Sequence, residues 1–381
     1  MSSKSLGGAG IKAFIKKYAM MLVFVVIVIF FTIMTDGIFL QPRNLSNLFR
    51  QMAIIGVLAT GMSLVIVSGN IDLSVGTFLG FVSGLASAGM VWWNWRTPAA
   101  ILLGILVGVV VGFLHGMLIA YLKLPAFITT LGTQFVFRGG LLGVIKGQTV
   151  APLHESFVFI GQGYLARSVG WIIAIVATVL FIISVFNRRK KNKQLGIQSN
   201  PIGKDIVKII AFIVVVFVFV YLMNIYEGIP VPTLILLGLS LLYTFIAEKT
   251  TFGRSVYAIG GNSMAAQYAG INVNRVITVV YMLSGALSAV AGLIMAARLN
   301  AGSPQSGLFM ETDAIASAVI GGISMAGGTG KVYGALFGAL LMASLDNGMS
   351  MMNVETFWQY IVKGAVLVLA VLFDIQSKSK K

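Results

Sequence analysis

Long apolar stretches decide what this chain can become. Ala19 to Phe31 and Ile206 to Leu222 are clear examples. Each approaches the ~20 residues that an α-helix needs to cross a ~30 Å hydrocarbon layer. A chain built of such stretches is expected to be an all-α membrane protein that crosses the bilayer many times.

Composition agrees. Hydrophobic residues make up 58% of the chain and charged residues 10%, against about 25% charged residues in an ordinary soluble domain. A water-soluble fold cannot have that surface. Cysteine is absent, which excludes a disulfide framework, a thiolate metal site and a cysteine nucleophile. The net charge of +16 would suggest nucleic acid in a soluble protein. Here the lysines and arginines lie between apolar stretches, so membrane orientation is the simpler cause. Lys4, Lys12, Lys16 and Lys17 precede the first stretch as in a signal peptide, but no small-residue cleavage site follows and the run is long enough to span. A retained first helix with a cytoplasmic N-terminus is expected.

Apolar windows give twelve segments, at about 19–40, 52–69, 74–92, 99–122, 126–146, 169–187, 206–225, 232–247, 276–297, 313–326, 332–350 and 357–373. Segments 74–92 and 313–326 are the ones whose full crossing stays open. With the N-terminus inside, the cluster Arg188, Arg189, Lys190, Lys191, Lys193 falls on the cytoplasmic side. So do Lys123, Lys249, Arg254, Arg275, Lys331 and the tail Lys378, Lys380, Lys381. Arg43, Arg50, Arg96 and Arg167 are the outer exceptions. An even count therefore satisfies the positive-inside rule, with both termini cytoplasmic. The expected layout is a cytoplasmic segment 1–18, one transmembrane domain 19–374 and a basic tail 375–381.

Many of the 44 glycines recur at four-residue spacing, as in Gly104, Gly108, Gly112 and in Gly334, Gly338. Small residues let helix backbones approach in lipid. Such glycines serve packing within the chain or, alternatively, contact between subunits. Two blocks also look alike. Gly69-Asn70-Ile71-Asp72-Leu73-Ser74-Val75-Gly76 opens one Gly-rich stretch, and Glu311-Thr312-Asp313-Ala314-Ile315 opens another. Seven spans separate the two starts, so the copies, about 44–146 and 272–374, would face opposite ways. That is an inverted repeat with broken or re-entrant helices at its interface.

Ionisable groups inside a span cost about 2.5–3.5 kcal/mol on insertion scales, so each needs a cavity or a partner. Asp72, Asp313, Asp346, Lys363 and Arg138 are the candidates. Asp72 and Asp313 stand at the two block starts, where they line a passage, cap a helix or do both. Asp346 and Lys363 lie on adjacent segments and are read as a structural ion pair. Arg138 snorkels or pairs. His115, a lone histidine, is read as a packed, hydrogen-bonded residue. No spaced cluster of metal ligands is seen.

Ala326-Gly327-Gly328-Thr329-Gly330-Lys331-Val332 has a superficial likeness to a P-loop. Met325 replaces the leading glycine, and Val332 stands where Ser or Thr is required. No catalytic serine or zinc motif appears either, so the chain is not expected to be an enzyme, and the energy for any transport comes from elsewhere. The inner loop from Thr251 to Val273 contains Gly260-Gly261-Asn262 and Ala265-Ala266-Gln267-Tyr268-Ala269-Gly270. Its length and its small residues suit a short helix docking into a soluble partner; a solvated connector is the alternative.

The motifs Asn44-Leu45-Ser46-Asn47, the run at 69–76, Pro125-x-Phe127-Ile128-x-Thr130-Leu131-Gly132, Tyr257 to Asn262, Gly270-Ile271-Asn272-Val273, Glu311-x-Asp313-Ala314-Ile315-Ala316 and Val319-Ile320-Gly321-Gly322 occur in one order. They resemble the permease family of bacterial ribose, galactose and xylose ABC importers. Thr35-Asp36-Gly37, Met342 to Met352 and Phe357 to Ala365 look like its xylose-type branch. So does an inserted helix pair at about 168–228, added to a ten-helix family core. The resemblance implies a permease of the bacterial cytoplasmic (inner) membrane that carries a monosaccharide, D-xylose or a related pentose or hexose. It implies a homodimer, an extracytoplasmic sugar-binding protein and a two-domain cytoplasmic ATPase that uses ATP and magnesium, this chain binding no cofactor itself. On that reading Asn70, Asp72, Ser74, Thr130, Asp313 and Asn347 line the pathway, and Gly261, Asn262, Ala265, Ala266 and Gly270 form the ATPase-coupling helix. Asn70 departs from the glycine of many relatives. The rival reading is an ion-coupled secondary sugar transporter with Asp72 and Asp313 as ion sites.

Overall fold

Proline marks where many of the helices begin. Pro42, Pro98 and Pro232 occupy first turns, and Pro125, Pro201 and Pro230 immediately precede helices. There the missing N–H leaves no hydrogen bond unmade. The computed structural model describes residues 21–197 and 201–378. The expected N-terminal segment 1–18 and the tail lysines Lys380 and Lys381 lie outside the described residues.

Fifteen helices are present among the described residues: α1 (Met21–Met34), α2 (Pro42–Val67), α3 (Val75–Val91), α4 (Thr97–Gly116), α5 (Ala126–Val144), α6 (Glu155–Gln162), α7 (Arg167–Gln194), α8 (Ile202–Tyr226), α9 (Val231–Lys249), α10 (Thr251–Gly261), α11 (Ser263–Tyr268), α12 (Val273–Leu299), α13 (Met310–Ile320), α14 (Gly334–Met351) and α15 (Thr356–Lys378). A wider π turn, Met117–Tyr121, prolongs α4. Six helices are long and apolar enough to cross a membrane: α2, α4 with its π turn, α7, α8, α9 and α12. Met21–Met34, Val75–Val91 and Thr356–Leu372 are shorter apolar helices.

Two differences from the hydropathy windows matter. α2 starts at Pro42 instead of near residue 52, because its polar first turns find partners inside the protein. Asn44 pairs with Asn347, and the Arg50 guanidinium lies 5.2 Å from the centre of the Tyr164 ring. In place of a span at 313–326, α13 has 11 residues, or about 16 Å, too short to cross. Non-helical chain with consecutive turns precedes it.

α2 and α12 form the centre. α12 packs on α3 and α4, and α2 packs on α13 and α14, with α2 and α12 also touching each other. The glycines of α4 explain one of these contacts. A Cβ on Gly108 would meet the Gly285 carbonyl, and one on Gly112 the backbone of Tyr281 and Met282. The stripe thus seats α4 against α12 within the chain. α7 and α8 pair at the edge, joined by an Arg189–Asp205 ion pair of 2.5 Å and by stacked Phe181 and Phe212 rings 4.1 Å apart.

Candidate functional site

Two polar regions stand out, one inside the bundle and one at the α10–α11 hairpin. The inner one is built on a stretch of non-helical chain. After Asn300 ends α12 in a left-handed conformation, the chain runs beside α3. Gly302 lies against Gly84 and Ser87, the Ser306 carbonyl against Gly80, and Gly307 against Gly76. Val150 and Gly302 exchange backbone hydrogen bonds of 2.9 and 3.0 Å, and the Arg138 guanidinium donates to the Pro304 carbonyl. Irregular backbone at membrane depth is tolerated only where protein or a water-filled passage receives it.

The first turn of α13 then presents two buried carboxylates, each 4% exposed. Asp313 Oδ2 accepts from Lys363 Nζ on α15 at 2.9 Å, and the same ammonium lies 2.8 Å from Asp346 Oδ1 on α14. One cation therefore joins three helices. Glu311 Oε1 accepts from Gln134 Nε2 on α5 at 3.2 Å, while Glu311 Oε2 has no hydrogen-bond partner. Its carboxylate lies so close to α3 that a Cβ on Gly76 would collide with it.

A second non-helical connection, 69–74, joins α2 to α3. Asp72 is 3% exposed, and its Oδ1 accepts from the Ser74 amide at 2.9 Å and the Ser74 hydroxyl at 2.6 Å. This turn orders the entry to α3. Asn70 Nδ2 donates to Ser68 Oγ at 3.1 Å. Asn70 also lines a cleft of about 240 Å³ with Lys123, Ile259, Ser263, Asn274 and Ile277 among others. His115 Nε2 and Thr133 Oγ1 are 2.9 Å apart, the packed, hydrogen-bonded setting expected for a lone histidine.

At the hairpin, Asn262 ends α10 and caps α11, its Oδ1 accepting from the Ala265 amide at 2.9 Å. Gly270, at φ +83°, lies just beyond α11. The end of α10 meets the end of α2 backbone to backbone: a Cβ on Gly260 would collide with the Val67 carbonyl, which accepts from the Gly328 amide at 2.8 Å. Tyr257 donates to the Gly330 carbonyl at 2.8 Å. Burial, reinforced by the Glu248 charge, holds that phenol above its ordinary range. The hairpin is thereby fastened to both the α2–α3 and the α13–α14 connections.

Residues 44–371 match the family described as branched-chain amino acid transport system, permease component. The chain belongs to this permease family. It is 47% identical over 363 residues to the xylose transport system permease protein of Haemophilus influenzae, covering 95% of this chain and 97% of that one. The counterpart of the same name in Escherichia coli is 45% identical over 375 residues, 98% and 95% of the two chains. The ribose import permease protein of Bacillus subtilis is 37% identical over 338 residues, 88% and 86%. No solved structure matches. The protein is thus a multi-pass membrane subunit whose task is transport and not catalysis.

Within this permease the residues expected along the pathway are spread over several elements. Asn70, Asp72 and Ser74 share the α2–α3 connection, Thr130 is on α5, Asp313 on α13 and Asn347 on α14. Thr130 donates to the Ala126 carbonyl at 2.9 Å, and Asn347 exchanges amide hydrogen bonds with Asn44 of 2.9 and 3.0 Å. Of the expected coupling residues, Gly261, Asn262, Ala265 and Gly270 are exposed, whereas Ala266 is buried against the permease. The outward apolar groups of α11 are Met264, 68% exposed, and Tyr268, 86% exposed. Sequence reasoning passed over Glu311 as a site residue, although an acidic residue two positions before Asp313 in an apolar setting is a readable signal. No group of metal-ligating side chains occurs among the described residues.

Proposed function

We propose that this chain is the permease subunit of an ABC importer for a monosaccharide, D-xylose in the first place, working with a cytoplasmic ATPase and an extracytoplasmic sugar-binding protein. The observation that carries it is 45–47% identity over nearly the whole chain to two permeases named for xylose transport. Its fold would be an inverted repeat of about twelve membrane helices. The halves would be α2–α5 and α12–α15, and α7–α8 the inserted pair. The reciprocal packing supports this: α12 on α3 and α4, α2 on α13 and α14. Each half contains a helix that starts within the bundle after non-helical chain, as expected of a transport pathway. Asn70, Asp72, Ser74, Thr130, Asp313 and Asn347 remain the proposed pathway set, in a homodimer of the inner membrane with both termini cytoplasmic.

The proposed ATPase contact is the outer face of α11. Met264 and Tyr268 are four residues apart and so project from one side, carrying exposed apolar surface outside the spans. Gly261, Asn262, Ala265 and Gly270 shape and flank this helix, and Ala266 anchors it. Tyr268→Ala is expected to keep the permease folded while weakening ATPase association in pull-down from membranes; undiminished association refutes the contact. The ion-coupled alternative loses ground because Asp313 is paired with Lys363 and Asp72 with Ser74. Uptake of labelled xylose, ribose, galactose and arabinose by the reconstituted complex tests the substrate. Xylose is expected to lead, and absence of uptake of all four refutes the reading.

A further inference from the structure

Glu311 and Asp313 lie in the same helical turn, each with one buried carboxylate oxygen that has no hydrogen-bond partner, and they differ in what meets the other oxygen. Asp313 meets the Lys363 ammonium at 2.9 Å. Glu311 meets the Gln134 amide, which orients a carboxylate without neutralising it. Its Oε2 is buried and without a hydrogen-bond partner, an arrangement costly in a membrane interior.

Its surroundings suggest what completes it. Glu311 stands where the starts of α3 and α13 meet, each preceded by non-helical chain. The two elements touch there through the backbone at Gly76 and Gly307. Glycines present no side chains to interlock, so this contact can part without unthreading any. On parting, the carboxylate would face the gap, held from behind by Gln134. A carboxylate only accepts hydrogen bonds, and two adjacent hydroxyl groups are donors spaced to meet its two oxygens.

We propose that Glu311, positioned by Gln134, is a binding point for hydroxyl groups of the transported sugar inside the membrane, occluded here and exposed when α3 and α13 separate. This rests on the sugar-permease reading. The Glu311→Gln variant can still accept from Gln134 and so preserves the structural bond, but it loses the charge. In proteoliposomes with ATPase and binding protein, its uptake of labelled D-xylose is expected to fall about tenfold, the scale of one charge-assisted hydrogen bond, at unchanged thermal stability. Wild-type uptake by this variant overturns the proposal. Should Glu311→Gln fail to fold, Glu311→Cys decides, since the chain has no other cysteine. Modification by a small thiol reagent during ATP turnover, slowed by xylose, is the expected result, and no modification in any state overturns it. If the unaltered complex takes up none of the four sugars, the sugar-permease reading itself fails. If it transports and Glu311 is silent, this inference alone falls.

Discussion

The edge pair α7–α8 and the central pair α2 and α12 are all long enough to span, yet they are built on opposite principles. The apolar windows of α7 and α8 have mean hydropathies of 2.8 and 3.0, with 17% and 11% of their residues buried within the protein. Those of α2 and α12 have hydropathies of 1.7 and 2.0, with 89% and 72% buried. The most apolar helices are thus the least buried. Lipid asks only for apolar surface, whereas helix contacts in a membrane ask for small residues and satisfied polar groups. Polar chemistry accordingly gathers around the less apolar helices.

The sharpest way to break this contrast is Lys363→Met. It leaves Asp313 and Asp346 buried without their cation, and a loss of about 3–5 kcal/mol is expected, read as a lower thermal midpoint in detergent. An unchanged midpoint would mean that the three-helix tie holds nothing together. Next comes Gly112→Val, which pushes α4 off the α12 backbone at an expected cost of about 1–3 kcal/mol. Its control is Gly203→Val in α8, where a side chain would meet open space. Equal losses at both positions would erase the distinction between centre and edge. Asn347→Ala leaves the Asn44 Oδ1 without its donor, although Asn44 Nδ2 keeps the Phe39 carbonyl, and should cost about 1–2 kcal/mol. Val215→Ala, on a side chain 67% exposed in α8, should stay within about 0.5 kcal/mol of the parent in the same assay.

The same contrast explains what could be read from the sequence. α7, α8 and α9 fall close to their hydropathy windows, because contact with lipid imposes apolarity residue by residue. α13 was legible as a polar interruption at Glu311-Thr312-Asp313 but not in its extent. Its length is set by chain packing beside α3, which hydropathy does not encode. The start of α2 was missed because Asn44, Asn47 and Arg50 read as loop until their partners Asn347, Arg298 and Tyr164 are in view. The pairing of Lys363 with Asp346 was expected from adjacent segments. The further reach to Asp313, fifty positions away, needed the third helix. In the inner loop the short helix was foreseen, but not that Ala266 faces inward, since six residues do not reveal which side of a helix is covered.

α7 and α8 could serve any membrane protein. What the central helices are for is tested by uptake of labelled xylose into proteoliposomes holding the permease, its ATPase and its binding protein, with ATP or ion gradients supplied separately. The account predicts uptake that requires ATP and persists when ion gradients are collapsed. Uptake that proceeds without the ATPase and vanishes with an ion gradient would contradict it.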